Sequence, residues 1–212
     1  MADNGVVSSV GETADSVTVT HRLEAFSDGV MAVIITITAF EIKAPHAPTL
    51  GALRHELPLL AVYVLSFSYI GIYWGNHHHL LRRAERISSG AMWANLHLLF
   101  WLSLVPMLTE WAGTSASHST PAAAYGVVQL AAAVAYFILV RMLIAANGGP
   151  HGALARSIGS DLKGRLSIVL YLAGIGLSLV SPYIGYALYA AVAVIWFVPD
   201  RRMATPSGQV SG

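Results

Sequence analysis

The sequence predicts an all-α integral membrane protein with six transmembrane helices. Three observations carry that prediction. Hydrophobic residues make up 55% of the 212-residue chain and charged residues only 11%; an ordinary soluble domain carries about 25% charged residues. The mean hydropathy is +0.61. Six segments approach the roughly 20 apolar residues that a helix needs to cross a hydrocarbon core roughly 30 Å thick.

The first 20 residues are polar, acidic and rich in Ser, Thr and Gly, without the basic start of a signal peptide. They are expected to form a loose cytoplasmic tail. The spans then follow at about 22–42, 57–76, 91–111 and 122–145. Two shorter ones lie at about 166–180 and 183–198, with Pro182 as the only clear punctuation between them. Residues 199–212 form a second polar tail. The expected organisation is a membrane domain over 21–198 between two loose ends.

Twelve basic and eleven acidic residues nearly cancel, so no field advertises a nucleic-acid partner. The chain has no cysteine, which excludes disulfides, thiolate metal sites and iron–sulfur clusters. Lys and Arg set the orientation. Arg82, Arg83 and Arg86 follow the second span. Arg141, Arg156, Lys163 and Arg165 surround the fourth connection, and Arg201 and Arg202 lie in the tail. Only Lys43 and Arg54 fall on the other side. The positive-inside bias places both termini in the cytoplasm, in a multi-pass protein of the inner (plasma) membrane. Spans four to six hold few charges and read as scaffold, and no internal repeat is present.

The first span is the informative one. Glu24 and Asp28 stand at i and i+4 and share a helix face. Two readings of Ser27 and Asp28 are open. Acids favour a helix start through the macrodipole; an ionisable group inside a span is also a functional hypothesis by default. Further along, Val33, Ile37 and Phe40 form one apolar stripe, with Thr36 beside it. Taken alone, such a stripe is usually core or lipid-facing.

Arg22, Phe26, Ser27, Asp28, Gly29 and Val30, followed by the run AVIITIT and Glu41, resemble the first-span pattern RxxxFSDGVxAIxxTLxxxE of the bacterial TMEM175 family. Trp74, His77 and His78 resemble that family's YWxxHH at the end of the second span. The resemblance implies a potassium-permeable cation channel with modest preference for potassium over sodium. It implies a homotetramer in which the first helix of each subunit lines a central pore. Physics agrees in part, because one copy of one helix cannot surround an ion path. The carried-over pore constrictions are Val33, Ile37 and Phe40. They depart from the family's usual Ile, Leu and Leu, which alters the neck's width but not its apolar character. Apolar rings gate by dewetting. The resemblance gives Thr36 a role in selectivity; its other reading is a hydroxyl bonded back to the preceding turn. The TVGYG loop of ordinary potassium channels is missing from the sequence.

The run His77, His78 and His79 cannot chelate one ion together, because adjacent helical residues point in three directions. No metal or other cofactor is expected beyond the permeant potassium ion. Topology puts the start of span one level with the end of span two and the start of span three. The expectation is a buried network of Arg22, Asp28, His77 and His97 that fixes the first helix, a type of network that the family resemblance supports. The other reading leaves the histidines in the headgroup region. The partners expected are further copies of the chain, lipid and monovalent cations.

A secondary transporter or proton-coupled carrier using Asp28 and the histidines is the competing reading. Such proteins usually carry inverted repeats and broken helices, which the sequence does not display. An enzyme is disfavoured, since neither HExxH nor GxSxG occurs, and Glu41 and Glu110 are lone acids near span ends.

Overall fold

The computed structural model describes residues 4–158 and 162–197. The expected tail 199–212, with Arg201 and Arg202, lies outside the described residues, as does the last residue of the expected sixth span, Val198. Among the described residues every regular element is helical. Eight α-helices occur: α1 (Asn4–Phe40), α2 (Leu50–Arg83), α3 (Ser89–Ser103), α4 (Val105–Thr114), α5 (Ser119–Ala146), α6 (Ala153–Ile158), α7 (Leu162–Ser178) and α8 (Pro182–Phe197). A 3-10 turn, Gly149–His151, joins α5 to α6.

Four stretches are long and apolar enough to cross a membrane: Thr18–Phe40, Leu50–Arg83, Ser89–Thr114 and Ser119–Ala146. Pro182–Phe197 is a shorter apolar helix. Three boundaries differ from the sequence expectation. The backbone before Arg22 is helical from Asn4 onward, not loose. No proline interrupts it, and extending an existing helix costs far less than nucleating one. The second helix starts at Leu50, where the Thr49 side chain accepts a hydrogen bond from the Ala52 N–H at 3.2 Å. It runs through Pro58, whose missing N–H only frees the carbonyl of exposed Arg54.

The third difference is the largest. The expected third span is two helices broken at Leu104. Pro106 has no N–H to offer the carbonyl of Leu102, and its ring obstructs the preceding turn. The Leu104 N–H turns to Trp101, one residue nearer, at 3.3 Å. Beyond the break the ladder resumes, from the Leu108 N–H to the Leu104 carbonyl at 3.2 Å.

α5 is the centre of the bundle and packs on α3, α7, α4 and α8, while α7 and α8 pair as a hairpin. Polar tethers hold this core. Ser66 Oγ lies 2.7 Å from Thr109 Oγ1 and 2.9 Å from the Tyr125 hydroxyl, which also accepts from Gln129 Nε2 at 3.0 Å. Tyr69 donates to the Tyr189 carbonyl, and Tyr189 donates to the Ala122 carbonyl at 3.2 Å. Hydrogen bonds between membrane helices average about 0.6 kcal/mol each, so several are needed to fix a register. Gly126 and Gly174 make room for the Tyr189 ring: an added Cβ would stand 2.0 Å from its hydroxyl and 2.5 Å from its ring, respectively. The stretch Gly148, Gly149 and Pro150 leads into a 3-10 turn. Gly148 and Gly149 adopt φ of 88° and 68°, values that glycine reaches without steric cost.

α1 sits at the edge of the bundle. It packs on α2, α4 and α3.

Candidate functional site

α1 presents two contrasting faces. Ser27, Met31, Ile34 and Thr38 recur at helical spacing and are buried against the rest of the subunit. The opposite face carries Phe26, Val33, Ile37 and Phe40, which are 52%, 55%, 43% and 82% exposed, with Gly29 and Thr36 between them. Large apolar side chains left open by the fold of a membrane subunit face lipid, another copy or a lumen. The face borders a groove. Val33, Ile37 and Glu41 line one wall, and Pro106, Met107 and Glu110 line the other. The break at Leu104 forms that second wall. It brings Glu110 into the same groove as Glu41, although the sequence offers each as a lone acid.

The Thr36 hydroxyl donates to the Val33 carbonyl at 2.8 Å. Its proton is spent on the backbone, so the oxygen's lone pairs are what the open face presents. On the buried side Thr38 makes the same kind of bond, to the Ile34 carbonyl at 2.7 Å.

The lower part of α1 is fastened by a chain of three hydrogen bonds. Ser27 Oγ donates to the Leu23 carbonyl at 2.8 Å. With its proton committed, that oxygen accepts from Asn95 Nδ2 at 2.9 Å. The Asn95 amide therefore turns its Oδ1 to His77, whose Nε2 donates at 2.7 Å. All three side chains are fully buried. One uninterrupted donor sequence thus links α2, α3 and α1.

The expected network is formed in part and with different members. His77 joins it. Asn95 is the hub. Asp28 faces elsewhere, toward Glu24 and His78. His78 Nδ1 lies 2.7 Å from Glu24 Oε1, and the Trp74 ring stacks on His78 at 5.9 Å between centroids. Arg22 is exposed and makes no hydrogen bond or ion pair among the described residues. His97 is exposed on α3 and accepts from Trp101 Nε1 at 2.9 Å. Within the subunit neither Arg22 nor His97 reaches His77. The signals that mark the missed members are an amide inside an apolar span, for Asn95, and the i, i+4 relation to Asp28, for Glu24.

Known proteins resemble the chain in sequence and in fold. Residues 22–106 match the family described as endosomal/lysosomal potassium channel TMEM175. A potassium channel of Chryseobacterium sp. (strain P1-3) is 46% identical over 182 residues, covering 86% of this chain and 94% of that protein. A potassium channel of Streptomyces collinus is 33% identical over 201 residues, covering 88% of this chain and 98% of that one. In three dimensions the chain is similar to the crystal structure of a lysosomal potassium-selective channel TMEM175 homolog from Chamaesiphon minutus. The TM-score is 0.75 at 26% identity, with 88% of this chain and 100% of that chain covered. The match spans the first helix with its open apolar face, the histidine end of α2 and the start of the broken third span; the chain belongs to the TMEM175 family.

Proposed function

We propose that the chain is one subunit of a potassium-permeable cation channel, a homotetramer whose pore is lined by the open face of α1. The observation that carries this reading is the division of α1 into a buried face and an exposed apolar one. Val33, Ile37 and Phe40, left uncovered by the subunit, are open to a symmetric neighbour or a lumen, and closed rotational symmetry supplies both. The names of the relatives support potassium as the permeant ion.

In this reading each subunit crosses the membrane six times, with α7 and α8 as the short fifth and sixth spans and both termini cytoplasmic. Val33, Ile37 and Phe40 form successive apolar rings that close the path by dewetting. Thr36, between the Val33 and Ile37 rings, offers four hydroxyl oxygens to a partly dehydrated ion and sets a modest preference for potassium over sodium. Ser27, Asn95 and His77 hold the helix at the correct rotation.

The test is ion flux from proteoliposomes under a potassium gradient and then a sodium gradient, with Ile37→Asn alongside the native chain. Faster potassium than sodium flux, raised further by Ile37→Asn, supports a pore with its neck on α1. Absence of flux from a folded oligomer, with no effect of the substitution, removes the pore assignment. Saturable, substrate-coupled flux would instead favour a carrier built on Asp28 and the histidines.

A further inference from the structure

We propose that Glu24, Asp28 and His78 form a binding site for a divalent metal ion of the zinc type, bridging α1 and α2. Each of the three residues offers one ligand atom, and these atoms lie within 4.8 Å of one another. A tetrahedral zinc ion holds its nitrogen and oxygen ligands at about 2.0–2.1 Å, and hence about 3.3 Å apart. The 4.8 Å bound on the observed cluster exceeds that spacing by about 1.5 Å. The i, i+4 relation sets both carboxylates over one face of α1, and α2 supplies the imidazole.

A second observation points to a ligand. Asp28 Oδ1 and His78 Nδ1 are shut off from solvent and have no hydrogen-bond partner among the described residues. His78 Nδ1 is 2.7 Å from Glu24 Oε1 without the geometry of a hydrogen bond. An orphaned carboxylate oxygen is costly alone. Beside the Glu24–His78 pair, Asp28 completes a donor set. The Glu24 and His78 side chains remain 13% and 30% exposed, which leaves a way in for an ion and for a water as fourth ligand. Stacking on Trp74 fixes the plane of the imidazole.

The donor chemistry selects the metal. Calcium and magnesium require six or more oxygen ligands, whereas imidazole with carboxylates suits zinc and its first-row neighbours. Two carboxylates and a neutral imidazole balance a divalent charge. Sequence reasoning excludes chelation by the three adjacent histidines; this site takes one of them and finds its other ligands on a different helix. Bound metal would clamp the base of α1 to α2, one turn from the Ser27–Asn95–His77 chain.

The full chain, purified in detergent and stripped with EDTA, is titrated with zinc chloride by calorimetry. One ion per subunit is expected. Glu24→Gln and His78→Ala each lower the affinity by at least about ten-fold, the scale of lost metal-site interactions. His79→Ala leaves it unchanged. Cobalt(II) in place of zinc gives the visible bands of a four-coordinate site in the native chain and loses them in His78→Ala. Zinc raises the thermal midpoint of the native chain and not of Glu24→Gln. Equal zinc affinity in the native chain and both ligand variants overturns the proposal, as does absence of saturable binding to the native chain. Should His78→Ala fail to fold, the near-isosteric Glu24→Gln decides. These readouts do not measure flux, so failure of the channel reading leaves the result standing.

Discussion

His77 and Asn95 lie 2.7 Å apart, fully buried, at the point where α2 and α3 meet the first helix. The direction of that bond is determined by the next one, because Asn95 must give its amide protons to Ser27. His77 therefore carries its proton on Nε2.

Replacing Asn95 by Leu removes both bonds, leaving the His77 N–H buried without a partner and the Ser27 hydroxyl with only its bond to the Leu23 carbonyl. A buried orphan costs about 1–3 kcal/mol, so the thermal midpoint in detergent should fall clearly. Ser27→Ala added to Asn95→Leu should cost little more, since members of one network are not additive. Full additivity in the double variant would break the chain as drawn.

Thr36→Val keeps the side-chain shape and removes the hydroxyl oxygen. The potassium-to-sodium permeability ratio, read from bi-ionic reversal potentials, should drop by about ten-fold or less, within 1.4 kcal/mol per factor of ten. Total flux should persist. An unchanged ratio would assign the hydroxyl to its bond with the Val33 carbonyl alone.

Gly29 and Gly126 make a contrasting pair. An added Cβ at Gly126 meets the Tyr189 hydroxyl at 2.0 Å, and Tyr189 is itself tethered to Ala122. Gly126→Ala should destabilise the subunit by about 1–3 kcal/mol through overpacking. At Gly29 nothing lies within 4 Å. Gly29→Leu should leave the subunit folded and disturb assembly or flux, measured by native mass spectrometry and by liposome assay. Unaltered assembly and flux would argue that no neighbouring subunit or ion path meets α1 there.

Asn147 closes the turn between α2 and α3. Its side chain accepts from the N–H groups of Glu85 and Arg86 at 2.8 and 2.9 Å, and donates to the carbonyls of Arg86 and Leu143 at 2.9 and 2.8 Å. Asn147→Ala should speed tryptic cleavage after Arg86 by about ten-fold, the effect of about 1.4 kcal/mol on local opening. The cleavage rate is followed by mass spectrometry, and an unchanged rate would mean that the turn holds without its clasp.

The apolar stripe and the polar motif of α1 are both legible in the sequence, because a helix of 3.6 residues per turn converts spacing into faces directly. Val33, Ile37 and Phe40 are therefore placed on one side without knowledge of any neighbour. The membrane character and the four long spans follow just as directly, from runs of apolar residues long enough to cross a bilayer.

Which polar groups meet is a different kind of question. His77 and His78 are adjacent in the chain, yet about 100° of helical rotation separates their directions. His77 turns to Asn95 and His78 to Glu24. Nothing local to α2 dictates that rotation; it follows from how α2 lies against α1 and α3. Likewise Pro106 shows that the third span can break, but only packing turns the break into a wall facing Ile37 and Glu41. The sequence by itself determined the membrane character, the four long spans, the apolar stripe of the first helix and the family. Tertiary structure decided the pairings, because a hydrogen bond or a metal site depends on the relative rotation and height of two helices, and neither quantity is written in the residues of one.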